Sequence, residues 1–246
     1  MIKFDPDKNA VIDPASFGLG DIPTKALIIY DDDYFEKLTS ENQLSEVVDS
    51  GGRKRDDFYT LNNEYLVMNP NEGAPISATM LEMAIASGVK SVVAFGTAGS
   101  LDGSTLPHKI IIPTAAIREE GVSYHYMPDS DEIEQDEASI DILKREIQKN
   151  NLEFISGKTW TIDAFFRETN SKVKEMKAKG CVCVDMECSA LIAICKFRNV
   201  DFVQFLISFD NLEADHKHHD VYGDLMDDAI LKIAFGTLDN LGKQAQ

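Results

Sequence analysis

The stretch CVCVDMECSALIAICKFRNVDFVQFLIS, residues 181–208, reads as strand, helix and strand in succession. CVCVDM (181–186) is a short extended run of Cys and Val, and VDFVQFLIS (200–208) is a second run rich in Val, Phe, Leu and Ile. Between them, residues 187–197 are almost wholly apolar after Glu187, so a helix there has to be buried. Apolar strands alternating with helices predict a mostly parallel sheet covered by helices.

The alternation continues in both directions. TKALIIY (24–30) is an apolar run that ends at Asp31, Asp32 and Asp33, and shorter extended pieces follow around 58–60 and 65–68. A helix is predicted from Pro75, with Ile76, Met80, Met83 and Ala84 on one face, stopping at Gly88. SVVAF (91–95) is a buried strand running into a loop, GTAGS (96–100). KIIIPTAAI (109–117) is another strand, in which Pro113 marks an edge, a bulge or an end. Helices are expected at 137–150, on Ile140, Leu143 and Ile147, at 171–179 before Gly180, and at about 223–240, with a strand at 154–160. The acidic run DSDEIEQDE (129–137) reads as a mobile loop. The expected fold class is α/β: one domain over 1–246, with a twisted mixed, mostly parallel sheet flanked by helices.

Of the 246 residues, 43% are hydrophobic and 27% charged, which fits a folded domain and excludes a disordered or coiled-coil chain. Forty-two acidic residues against twenty-four basic ones give a formal charge of −18. That field repels phosphate backbones and anionic lipids, so no nucleic-acid or membrane partner is expected. An anionic small substrate would need a local cluster of donors. No apolar stretch approaches the ~20 residues of a membrane span, and the opening MIKFDPDKNA lacks a basic and an apolar region, so a cytoplasmic location is expected. The four cysteines fall between 181 and 195 without CxxC spacing and read as core residues. His216, His218 and His219 beside Asp215 and Asp220 fit a polar loop better than a metal site, so no metal is expected.

Three strand ends carry polar residues where open α/β sheets bind ligands. Gly96-Thr97-Ala98-Gly99-Ser100 offers converging backbone N–H groups and a hydroxyl, suited to a phosphate or sugar oxygen, or else a tight turn that needs positive φ. Asp185-Met186-Glu187 puts carboxylates at the start of a buried helix, matched to paired ribose hydroxyls or to the helix dipole. Ser208-Phe209-Asp210-Asn211 presents an acid that could protonate a leaving group or close an Asx turn.

Taken together and in this order, VVAFGTAGSL (92–101), AIREEGVSYHYMP (116–128), GKTWTIDAFFRET (157–169), VDMECSALIAI (184–194) and LISFDNL (206–212) resemble the nucleoside phosphorylase/uridine phosphorylase superfamily, which also contains nucleosidases. The resemblance implies a single phosphorylase-like domain assembled as a homo-oligomer, dimers built into hexamers. It also implies attack of phosphate on the anomeric carbon of a nucleoside, releasing the base and a pentose 1-phosphate. Phosphate is then a co-substrate, and no cofactor is implied. By this resemblance Gly96 and Thr97 contact phosphate, Glu187 holds the ribose hydroxyls, Met186 packs on the sugar and Phe165 lies beside the base. Asp210 protonates the departing purine, and Arg53 looks like the arginine lent to a neighbouring subunit's phosphate site.

The sequence departs from the family on the phosphate side. Ala94 stands where phosphorylases usually carry an arginine, and YDDDYFEK (30–37) replaces a glycine-rich, arginine-containing loop. Losing two such donors costs about 3–6 kcal/mol of phosphate binding. Arg118 and Arg167 are the replacement candidates, with a surface or ion-paired role as the alternative. Alternatively water is the acceptor, activated by Asp31, Asp32 or Asp33, unless these only start a helix. The family's 5′-hydroxyl histidine is absent ahead of His108, and Asp185 stands where relatives carry Glu. The expectation is a nucleoside phosphorylase; Asp210 favours purines, while 116–128 is similar to the uridine branch. A nucleoside hydrolase or a non-catalytic nucleoside-binding protein are the alternatives.

Overall fold

The apolar runs at 25–29, 91–95 and 201–208 lie side by side as parallel strands, and the remaining elements are hung from them. In this computed structural model residues 4–41, 44–49, 51–101, 108–211 and 224–241 are described. Along the chain these hold β1 (Lys25–Ile29), α1 (Asp32–Glu41), β2 (Leu44–Val48), β3 (Lys54–Leu61), β4 (Tyr65–Met68), α2 (Ala74–Ala86) and β5 (Ser91–Ser100). There follow β6 (Ile110–Glu119), α3 (Ser123–Tyr126), β7 (Glu132–Glu134), α4 (Glu137–Lys149), β8 (Phe154–Ile162), α5 (Asn170–Ala178) and β9 (Cys181–Asp185). The last elements are α6 (Cys188–Arg198), β10 (Asp201–Asn211) and α7 (Asp224–Asn240).

One mixed sheet runs β2-β3-β4-β1-β5 and then closes on itself through β10, β6, β8 and β9. Parallel ladders join β4, β1, β5 and β10, and again β6, β8 and β9. Antiparallel pairing is confined to the β2–β3–β4 hairpins, to β7, and to the two seams that close the ring, β10–β6 and β5–β9. Ala98, Ile111, Cys183 and Leu206 form one small apolar cluster on four of its strands.

Alternation along the strands then builds the two main cores. Leu27, Ile29, Val93, Phe95, Val203 and Phe205 pack with Leu143 and Ile147 of α4 and Ile233 and Leu238 of α7. Ile28, Val92, Ala94 and Phe202 face the other way, with Met80 and Leu81 of α2 and Leu191 and Ile194 of α6. Each fully buried Leu, Ile or Phe in these layers contributes about 1.5–3 kcal/mol.

The structure corrects several local expectations. GTAGS is no loop: β5 continues through it, because β10 pairs with Gly96, Thr97 and Ala98 and β9 with Gly99 and Ser100. Residues 129–137 are not a free loop either, since β7 pairs with Ala115, Ala116 and Ile117 of β6. In α2, Ile76 points outward, and Ser77, Ala78, Met80, Leu81 and Ala84 form the buried face. Pro113 sits at a bulge in the β6–β8 ladder. All four cysteines are free and buried.

Candidate active site

The site begins at the β9–α6 junction, where two acids separated by one residue take different roles. Asp185 is buried and accepts from the hydroxyls of Thr159 and Thr161, both at 2.9 Å. Its other oxygen accepts from the backbone N–H groups of Glu187 at 2.9 Å and Cys188 at 2.6 Å. Asp185 is therefore the acid that caps α6, satisfying donors that a helix start leaves open.

Glu187 is thereby released from capping. Its carboxyl group is buried, and Oε1 accepts from the backbone N–H of Gly73 at 2.6 Å. Gly73 has φ +112°, a conformation that L side chains rarely adopt, and leads directly into α2. Burial, and then the neighbouring Asp185 charge, push Glu187 up to about 8. Asp185 is also raised by burial, with its four donors acting in opposition. With the Gly73 N–H donating to it against the four donors of Asp185, Glu187 is the acid whose charged form the site disfavours more.

A cavity of ≈ 320 Å³ opens in front of Glu187, lined by Tyr30, Thr97, Gly99, Phe165, Met186 and Phe209 among others. Its walls are the ends of β1, β5, β9 and β10 and the turn at Phe165–Arg167. Thr97, Phe165, Met186 and Glu187 come together here from three separate sequence segments. Phe165 is half-exposed, in edge contact with the more exposed Phe166 at 5.1 Å between ring centres. Gly96 sits just behind Thr97, and its glycine is required by a close approach, not by positive φ: a Cβ there would stand 2.6 Å from Tyr30 Cβ.

The ionisable side chains of the described lining are mostly acids. Glu72, Glu168, Asp185 and Glu187 line it, and no Lys, Arg or His does so among the described residues. Arg118 is a correction to the phosphate set: it is buried and bonds Ser123 Oγ, Pro128 O and Ser130 Oγ, each at 2.8 Å, while stacking on Tyr124. It ties down the 123–130 turn. Arg167 is exposed, and Arg53 lies exposed between β2 and β3; neither lines the cavity. Ala94 is buried in the apolar layer under α2 and α6. Asp31 Oδ1 accepts from the N–H groups of Asp33 and Tyr34, so the aspartate run starts α1, and none of the three lines the cavity.

The backbone of Asp210 belongs to β10, next to the lining Phe209, while its side chain lies outside the described residues. Asp215, His216, His218, His219 and Asp220 lie wholly outside the described residues. Among the described residues there is no cluster of three or more His, Cys, Asp or Glu able to hold a metal ion, and no helix long and apolar enough to cross a membrane. Tyr30, Glu72, Gly73 and Glu168 were missed by sequence reasoning. Tyr30 had a readable signal, since it ends the first strand of a parallel sheet.

The phosphorylase superfamily model matches residues 26–234. The chain belongs to the phosphorylase superfamily. It is 26% identical over 150 residues to a DeoD-type purine nucleoside phosphorylase of Bacillus cytotoxicus, covering 59% of this chain and 63% of the relative. It is 27% identical over 152 residues to an uncharacterized protein of Acanthamoeba polyphaga mimivirus, covering 62% of this chain and 59% of that one. The chain thus spans about three fifths of the length of the curated relatives it matches. Among solved structures, purine nucleoside phosphorylase from Toxoplasma gondii in complex with immucillin-H superposes with a TM-score of 0.76 at 22% identity, over 91% of this chain and 93% of that one. AMP nucleosidase from Bacteroides thetaiotaomicron follows at 0.72 and 16% identity, over 91% of both chains. The phosphorylase-superfamily fold is thereby shown, and phosphorylases and nucleosidases both lie among its neighbours.

Proposed function

We propose that this chain cleaves the N-glycosidic bond of a nucleoside, with a purine nucleoside as the preferred substrate. The observation that carries this reading is the buried Glu187 carboxyl group at the floor of the cavity, flanked by Met186 and Phe165. A carboxyl group that is wholly desolvated costs free energy unless a ligand uses it, and two adjacent sugar hydroxyls match its two oxygens. Met186 packs on the sugar and Phe165 on the base. Asp210, at the carboxyl end of β10, is proposed to protonate the base nitrogen, which leaves poorly until it carries a proton.

Two acceptors compete for the pentose. Phosphate is favoured by Thr97 at the cavity and by the DeoD-type relatives, which are phosphorylases by name. With no cation in the lining among the described residues, this reading draws on Arg53 from a second copy of the chain, and hence on a homo-oligomer. Water is favoured by the acidic lining itself. The test is base release from inosine, adenosine, guanosine and uridine, with and without millimolar phosphate. Purine bases should be released faster than uracil. A chain that binds nucleosides but releases no base would instead be a binding protein.

A further inference from the structure

We propose that Glu120, a carboxylate outside the cavity, is the positioning residue that aims Glu187, acting through Ser189 on the far side of α6. This rests on the nucleoside reading above and extends it to two residues that do not line the cavity.

The start of α6 is held first along its own axis. The N–H groups of Glu187 and Cys188 donate to Asp185, and that of Ser189 donates to Thr161 Oγ1 at 3.1 Å, whose hydroxyl donates to Asp185 in turn. Bonds to the first N–H groups point along a helix, so they set where it begins and resist rotation about the axis only weakly. The Ser189 hydroxyl supplies the lateral tie, donating to Glu120 Oε1 at 2.8 Å. Two residues beyond Glu187, Ser189 stands about 200° round the helix from it, on nearly the opposite side. The bond is a strut behind the carboxyl group that lines the cavity.

The strut is anchored at its other end. Glu120 is buried and also accepts from the backbone N–H groups of Val122 and Ser123. Its turn is fixed independently of α6. Arg118 clamps Ser123, Pro128 and Ser130, and Gly121 N–H donates to Asp163 Oδ2 at 2.9 Å, two residues before Phe165. A turn closed only on its own N–H groups could keep its acid at the surface. Here the acid is buried, which costs free energy, and what burial gives is the reach to a donor 69 residues away. A misplacement of about 1 Å caused far from the reacting atoms can cost on the order of a hundredfold in rate.

Two variants test the strut. Ser189→Ala removes it, and Glu120→Asp shortens it by one methylene while keeping a charge for the neighbouring N–H groups. Gly73 N–H, which donates to Glu187 Oε1, reports the position of that carboxyl group without any substrate. In either variant the Gly73 amide should exchange its hydrogen about three- to tenfold faster relative to the amides of β5. Equal acceleration of all amides, or none, leaves the tie merely structural and overturns the proposal. Sugar selectivity is the second readout, because 2′-deoxyinosine lacks one of the two hydroxyls that Glu187 is proposed to hold. The ratio of kcat/KM for inosine over 2′-deoxyinosine should fall about three- to tenfold in each variant, and no further in the double variant. A ratio that stays at the wild-type value, or losses that multiply in the double variant, overturn the proposal. If the wild-type protein cleaves no nucleoside, the nucleoside reading fails instead, and the Gly73 exchange then decides by itself whether Glu120 aims Glu187.

Discussion

The two sides of the cavity are built on opposite principles. On the β9–α6 side, a buried carboxylate is saturated by two threonine hydroxyls and two backbone N–H groups, and this fixes the junction that presents Glu187. On the β5 side, the Tyr30 side chain is fitted against Gly96, and no cation stands in the lining among the described residues. The first side is organised by satisfied hydrogen bonds, and the second by close packing of a ring against a glycine.

The strongest way to break this contrast is Asp185→Ala. It strips the partner from four donors in the interior at once, two of them at the start of α6. Leaving several buried donors unsatisfied should cost about 3–5 kcal/mol, visible as a lower urea midpoint. A loss below about 1 kcal/mol would mean the junction does not depend on its acid.

Glu187→Gln sharpens the other half of the pair. The amide can still accept from Gly73 N–H but forms no carboxylate, and kcat/KM for base release should fall about ten- to a hundred-fold. Its stability signature depends on pH. Glu187 sits at about 8 in the folded chain, against the usual 4.5. Between those values the folded state holds a proton that the unfolded state has lost, so wild-type stability falls as pH rises through the window. Glutamine removes this contribution. The variant's melting temperature should therefore gain on wild type from about pH 5 to pH 8. Parallel melting curves across that range would make Glu187 an ordinary surface-like acid.

Much of this arrangement was legible in the sequence, for reasons that differ by region. The β9–α6–β10 unit was readable because its apolar patterns are long and its periods unmistakable, and VDMEC put two acids at the start of a helix that had to be buried. GTAGS was misread as a loop because glycine signals a turn when taken alone. In the folded chain Gly96 answers to Tyr30, a residue 66 positions away in sequence. No local pattern encodes such a contact. Arg118 differs: its partners at 123–130, two serine hydroxyls and the Pro128 carbonyl, are close in sequence, but only the folded turn brings them round the guanidinium.

Gly96→Ala tests that long-range fit directly. The added methyl group would meet Tyr30 Cβ at 2.6 Å, a contact that neither strand can relieve without moving. Overpacking of this kind should cost about 1–3 kcal/mol by chemical denaturation. Combining it with Tyr30→Gly, which removes the opposing Cβ, should cost less than the sum of the two single losses. Strictly additive losses would show that the two residues do not compete for it.

The smallest effect is expected where the two acceptor readings diverge most. Arg53 is exposed at the β2–β3 turn, and its backbone already makes the turn: its N–H donates to the Asp49 carboxylate and its carbonyl accepts from the Asp49 N–H. Arg53→Ala preserves those backbone bonds, so stability should change by no more than about 0.5 kcal/mol. Base release should also be unchanged if water is the acceptor, because no step then requires a cation from this hairpin. If a second copy instead lends Arg53 to a phosphate site, the same variant keeps its melting temperature but needs more phosphate to reach half-maximal rate. A rise in that phosphate requirement would move the anion site from the interior of one chain to the boundary between two, with Tyr30 as its inner wall.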